Sequence, residues 1–440
     1  MKKIYIWGYG NLAKKYIPQI PNNVEIMGII DSDNTKWGVS DITHNGNNLS
    51  CIEDSLEEGD YVVIAIENPH VVKKIASLLR ERNIEWCHIF KIVDEEFLKS
   101  EKCTNEIKKP GAMMKFIDVM VPVANCNMKC DYCYLSHKKV ELDNVSDFYH
   151  DAKYIRYALS QDRLGGSAFI NLCGIGETLL CKNLENIVDE LLREGHYVQI
   201  VTNATPTGII EKFVHSNIDS SRIFFKCSLH YEELKRLNLL RCFANNINNL
   251  DKWGASYSIE YVPMDDSVQL IPEIKKFCLE NFGALPHVTV ARDEKYKDFR
   301  ILTRYSESEY REIWGQFNSE MFDFKIENVG KRYSQSCKAG LWAAELNIAT
   351  GDLYKCTNNP KMCNIYQEID EEIAWNQVGE ECCCAYCFNN HAYLTLGLIP
   401  DIYTPTYLEM RDRIKIDGTH WIKETLRKVF SQKLYDNNDV

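Results

Sequence analysis

The chain has 440 residues, 45% of them hydrophobic and 26% charged, an ordinary globular make-up in a length greater than one domain usually takes. Its formal charge of -12 argues against generic nucleic-acid binding, which relies on Lys and Arg displacing counterions from phosphates. The opening MKKIYIWGYG lacks a long apolar run and a small-residue cleavage site, and nothing approaches the ~20 apolar residues of a membrane span, so a cytoplasmic protein with no membrane partner is expected.

The first 100 residues alternate strand and helix patterns, as a βαβ architecture does. KIYIWG, VEIMGIID and DYVVIAI read as strands, and NLAKKYIPQI and PHVVKKIASLLRERN as helices. The turn GYGNLA sets Gly8, Gly10 and Ala13 between strand and helix, and Asp31 ends the next strand. That is the setting of a dinucleotide fingerprint, where glycines let the backbone close on a phosphate and the acid bonds a ribose hydroxyl. The same turn also serves helix packing alone, so residues 1–100 are read as a Rossmann-like domain for nucleotide binding or for docking.

After a polar linker, LKSEKCTNEIKKPG, a second series begins. Strands are expected at FIDVMVPV, SAFINLCG, YVQIVTN, RIFFKCSLH, ASYSIEYVP and HVTVAR, with helices between them, including DFYHDAKYIRYAL and IPEIKKFCLENF. Six strands so connected predict an α/β fold over 112–325, a partial (β/α)6 TIM-like barrel. Residues 330–400 are read as a small β-hairpin and helix module. Residues 401–440 are read as a helical tail covering the barrel, with helices at YLEMRDRIKI and WIKETLRKVFSQKL.

The chain has 18 cysteines, and a reducing compartment disfavours disulfides. Cys51, Cys87, Cys103, Cys181, Cys227, Cys242 and Cys278 are scattered singly and read as small buried hydrophobes. Cys126, Cys130 and Cys133 crowd together directly after the first barrel strand, on the edge where such sheets place their chemistry. Three thiolates can hold three irons of a cubane cluster and leave the fourth iron open to a substrate or cofactor. The alternative is zinc, but C-x3-C-x2-C lacks a nearby fourth ligand.

The spacing, with Tyr132 before the last Cys, resembles the signature of the radical S-adenosylmethionine superfamily. The resemblance implies a [4Fe-4S] cluster whose open iron is held by the amino and carboxylate groups of S-adenosylmethionine. It places Gly174, Gly176 and Glu177 of NLCGIGETLL at the strand end that meets the cofactor amino group, and Asn203 and Ser228 at further contacts. Strand-end capping is the plain alternative for the last two. Glu260 and Arg292 are expected toward the same edge, with Arg292 facing a cofactor carboxylate, a substrate anion or an ordinary ion pair. Cys173 is either a packed thiol or, facing the cavity, a hydrogen-atom donor.

Cys337, Gly351 and Cys356 follow the pattern C-x(9–15)-G-x4-C, and CCCAYC lies further on. AELNIAT and LYKC read as a hairpin turning at TGD. This resembles the single-cluster auxiliary module called twitch, rather than the longer SPASM module. An auxiliary [4Fe-4S] cluster on Cys337, Cys356, Cys384 and Cys387 is implied, with Cys363, Cys382 and Cys383 as other possible ligands and a zinc knuckle as the alternative.

The activity implied is reductive cleavage of S-adenosylmethionine and hydrogen abstraction, with a flavodoxin- or ferredoxin-type electron donor and sensitivity to oxygen. The amino-terminal segment resembles those found with surface-sugar and nucleotide-sugar enzymes, which points to a carbohydrate or nucleotide-linked substrate. A peptide maturase is the second reading, and a non-catalytic iron–sulfur sensor or electron carrier the third.

Overall fold

The computed structural model describes residues 2–36, 44–46, 49–52, 55–57, 59–133, 147–293, 300–357, 359–367, 369–380, 382, 386–387 and 389–438. The chain divides into two compact units, Met1–Glu106 with Asp143–Tyr157, and Ile107–Leu142 with Ala158–Val440.

In the first unit, strands β1 (Lys2–Trp7), β2 (Val24–Ile30), β3 (His44–Gly46), β4 (Tyr61–Ile64) and β5 (Trp86–His88) form a parallel sheet in the order β3-β2-β1-β4-β5. Ile4, Ile6, Ile29 and Val63 form its core with Leu12 and Ala13 of the helix Asn11–Tyr16 and Ile89 of the helix Ile89–Leu98. The first helix stops at Tyr16, short of the expected Ile20, because Pro18 starts a 3-10 turn over Ile17–Gln19. DFYHDAKYIRYAL, expected as a barrel helix, supplies the helix Ala152–Ala158, and most of the segment belongs to this unit. His150 Nδ1 lies 3.0 Å from an Asp94 carboxylate oxygen, its ring stacks on Phe90 at 4.3 Å, and Tyr154 meets Phe97 edge-on at 4.9 Å.

In the second unit, β6 (Met113–Val121), β7 (Ser167–Gly174), β8 (Tyr197–Thr202), β9 (Ile223–Leu229), β10 (Ser256–Tyr261) and β11 (His287–Val288) are parallel and adjacent in chain order. This is the expected α/β arrangement, an open partial barrel. HVTVAR is not one strand: β11 ends at Val288, and Arg292 lies on a separate antiparallel ribbon of β12 (Arg292–Asp293) and β13 (Arg300–Ile301). The auxiliary hairpin is β14 (Ala343–Asn347) and β15 (Asp352–Tyr354), extended by β16 (Lys361–Asn364). β14 pairs in parallel with β6, so hairpin and barrel share one sheet.

One face of β6–β10 is apolar and sealed: Ile117, Val119, Ile170, Leu172, Val198, Ile200, Phe225 and Ile259 are fully buried. The other begins with an aromatic layer, where Phe169 packs against Tyr407 at 5.3 Å and Phe430 at 4.9 Å, and then turns polar toward the carboxyl ends. The helix expected at YLEMRDRIKI is absent. Residues 407–411 form turns, because Tyr407 and Met410 are drawn into the interior, while Ile414 and Ile416 stay exposed. Tertiary packing overrides a favourable local propensity there.

Candidate functional site

The loop carrying Cys126, Cys130 and Cys133 is built by the ends of the strands beside it. Gly176 donates its N–H to Val123 O at 2.9 Å, and Glu177 donates its own to Asn125 O at 2.8 Å. A Cβ on Gly176 would lie 2.0 Å from Asn125 O, and one on Gly174 2.2 Å from Val123 Cγ1. These glycines therefore let the strand end approach the backbone of the cysteine loop itself. The buried Glu177 carboxylate accepts from Leu179 N at 3.0 Å, Thr202 Oγ1 at 2.5 Å and Asn203 N at 2.7 Å. Burial raises its pKa against those three bonds.

Asn203 extends the clamp, with Nδ2 donating to Asn127 Oδ1 at 2.8 Å and lying 4.0 Å from Cys126 Sγ. Lys129 N donates to Glu233 Oε1 at 2.8 Å, and the Tyr132 hydroxyl meets His230 Nδ1 at 2.6 Å. Burial raises the Cys126 thiol, with help from Glu177 and Cys133. Burial also pushes Cys130 up to about 12, helped by Glu233, Cys126 and Cys133. Thiols that repel one another as anions in a half-buried loop suit a polycation that takes all three as thiolates. Among the described residues no three His, Cys, Asp or Glu side chains converge as a single metal ion requires. The chemistry of this donor set, three thiols on one loop, fits a cluster in which each iron takes its own thiolate.

Below the loop, strand register lines up two rows on the inner face. One runs Glu345, Asp118, Asn171, Gln199 and Phe224; a second joins Asn347, Met120 and Cys173, and Val201, Lys226 and Ser258 pair likewise across β8, β9 and β10. Asp118 accepts from Asn171 Nδ2 at 2.7 Å and Asn389 Nδ2 at 2.6 Å, yet burial, with Glu345 nearby, pushes it up to about 6. Cys173 is part-buried in the second row, and burial, then Asp118, pushes its thiol up to about 12, so it keeps its hydrogen at neutral pH. Ser228 lies in register with Glu260 on β10. Glu260 faces Lys226 Nζ at 3.2 Å and Arg411 Nε at 3.7 Å. Burial opposes its charge, but Lys226, Arg411 and Lys325 hold its pKa down at about 2.

Four thiols, Cys337, Cys356, Cys382 and Cys387, line one cavity of about 50 Å3 walled by Ala339, Val378, Tyr386, Tyr393 and Ile399. Burial raises Cys337 to about 11, with Cys382 adding to it. Cys384 and Cys383 lie outside the described residues. Cys363 sits on β16 and is not part of this lining. A low-polarity pocket with four sulfurs fits a thiolate-ligated cluster.

In the first unit, Gly8 has φ 103° and a Cβ there would meet Ile66 Cγ1 at 2.5 Å. Gly10, ahead of the helix Asn11–Tyr16, has nothing within 4 Å. Asp31 accepts from Tyr9 N at 2.6 Å and Asp33 N at 2.8 Å, and Lys36 Nζ is 3.3 Å away. Gly8, Gly10, Asp31 and Lys36 border a cleft of about 330 Å3.

The sequence reading passed over Asp118, Lys226, Lys325 and Arg411. The one local signal was charge at alternate positions of otherwise apolar strands, Asp118 in FIDVMV and Lys226 in FFKCSL.

No protein-family model and no curated protein matches the sequence. Among solved structures, Streptococcus suis SuiB bound to S-adenosylmethionine is similar at 18% identity over 64% of this chain and 67% of that chain, with a TM-score of 0.40. The protein anSMEcpe with bound AdoMet is similar at 15% identity over 58% and 80% of the two chains, TM-score 0.39. BtrN in complex with AdoMet and 2-DOIA is similar at 15% identity over 61% and 84%, TM-score 0.29. No helix is long and apolar enough to cross a membrane among the described residues. At this level of likeness the residues of the chain itself carry the functional reading.

Proposed function

We propose that this chain is a radical S-adenosylmethionine enzyme whose substrate is a carbohydrate or nucleotide-linked small molecule. The observation that supports the reading is the three-thiol loop at the carboxyl edge of a parallel sheet, tied there by Gly176 to Val123, Glu177 to Asn125 and Asn203 to Asn127. Cys126, Cys130 and Cys133 would hold a [4Fe-4S] cluster, and Cys337, Cys356 and Cys387, with Cys382 or Cys384, an auxiliary one. When bound, cluster and S-adenosylmethionine supply one-electron reduction of a sulfonium and hydrogen abstraction from an unactivated C–H bond.

The chain's own part is positioning. Asn203 and Tyr132 fix the loop around the thiolates, the aromatic layer closes the base of the inner face, and Cys173 keeps an S–H on its polar row. Asp118, Asn171, Lys226 and Ser258 on that face suit hydroxyl and charged groups, which supports a polar small molecule over a peptide. A flavodoxin- or ferredoxin-type protein would donate the electron. Ser228 and Arg292 are retained as proposed contacts, as are Gly8, Gly10 and Asp31 for a nucleotide.

Anaerobic reconstitution should give roughly eight irons per chain if both sites fill with cubane clusters. Dithionite and S-adenosylmethionine should then release 5′-deoxyadenosine, which a sensor or electron carrier would not do. Replacing Cys126, Cys130 and Cys133 by Ala should abolish that release, while Cys337→Ala should leave it in place.

A further inference from the structure

We propose that Lys226, Lys325 and Arg411 form an oxyanion site on the inner face of the sheet, which holds a phosphate or carboxylate group of the substrate. Its role as a substrate site rests on the radical chemistry proposed above, whereas the binding itself does not.

Three basic side chains from separate parts of the chain gather near one carboxylate. Lys226 stands on β9, Lys325 on the helix Glu320–Asn328, and Arg411 on the carboxyl-terminal turn that was expected to be a helix covering the barrel. Glu260, 6% exposed, takes Lys226 at 3.2 Å and faces Arg411 at 3.7 Å, outside hydrogen-bond range. Arg411 is 1% exposed and its guanidinium lies 4.1 Å over the Tyr407 ring; its Nε and the Glu260 Oε1 it faces are both without a hydrogen-bond partner, and so is Nη1. Lys325 Nζ donates to Thr289 Oγ1 at 2.5 Å.

The remaining groups deepen the imbalance. Burial, then Lys226 and Arg292, drives the Lys325 pKa well down, and burial, then Lys325, Lys226 and Arg411, does so for His391. Asp118 is engaged by two amides, and Glu345 accepts from Thr357 Oγ1 at 2.5 Å. Buried polar groups are nearly always hydrogen-bonded, and buried like charges are costly without a counter-ion. Lys226 and Lys325 are nevertheless part-exposed, whereas Glu260 and Arg411 are buried. An oxyanion would give acceptors to Arg411 Nη1 and Lys226, and its charge would draw a proton onto the Lys325 amine.

The test uses the full-length, cluster-reconstituted protein under anaerobic conditions, with inorganic phosphate as probe and calorimetry and thermal unfolding as readouts. Saturable binding is expected, weakened about tenfold by either Lys226→Met or Lys325→Met. Lys325→Met should also raise the unfolding midpoint in phosphate-free buffer, since it removes a buried amine whose charge is disfavoured there. Absence of saturable binding, or equal binding by both variants, overturns the proposal. Saturating S-adenosylmethionine should leave phosphate affinity unchanged. Competition would assign the cations to the cofactor carboxylate and would equally overturn it. Release of 5′-deoxyadenosine reports separately on the radical reading, so either idea can fail alone.

Discussion

The chain contains two glycine turns, each paired with an acid, and they use the same residues for opposite degrees of constraint. At GYG in the first unit, Gly8 is jammed against Ile66 while Gly10 stands in open space, and Asp31 gathers backbone N–H groups and Lys36. At GIGE in the second, Gly174 and Gly176 are both pressed onto the cysteine loop, and Glu177 is consumed by three donors. A glycine pattern thus reports where backbones meet, and the meeting need not involve a ligand.

The largest effect should come from Gly176→Ala, which drives a methyl group into Asn125. The loop must shift, and iron bound per chain should fall by more than half of one cluster with loss of several kcal/mol in unfolding stability, on the order of an overpacked core. Gly8→Ala should cost about 2–3 kcal/mol through positive φ and the Ile66 clash, read as loss of hydrogen-exchange protection in β1 and β4 without loss of iron.

Glu177→Gln should cost about 1–3 kcal/mol by turning one acceptor oxygen into a donor facing a donor. It should also change the pH profile. Burial raises the Glu177 pKa, so its contribution to stability is complete below the ordinary glutamate value and is lost as pH rises through the raised one. The glutamine variant should lack that decline in unfolding midpoints scanned over about pH 4–8. Gly10→Ala should change stability by less than about 1 kcal/mol, because the position is open and its φ is -87°. A large loss there would break the contrast between the two turns.

Regular alternation made much of this legible. The strands from FIDVMV to SYSIEY, the hairpin turning at TGD and the cysteine triplet sit where local pattern put them. What pattern did not carry was long-range. Lys226 resembles a solvent-facing strand residue until register places it beside Ser258 and opposite Glu260. Residues 407–416 have helix-forming composition, yet the Tyr407 hydroxyl reaches Gln199 at 2.5 Å, far from it in sequence. Arg292 was placed on the sixth strand because the apolar run HVTVA continued past Val288, where pairing ends.

The parallel pairing of β14 with β6 has a consequence for how this chain can be cut or rearranged. A protein ending before Ala343 would strip β6 of one neighbour and leave its N–H and C=O groups bare along that border, a template for recruiting strands from other molecules. The sulfur-lined hairpin is therefore also the guard of that border, so a shortened variant is expected to form insoluble assemblies even where it keeps Cys126, Cys130 and Cys133.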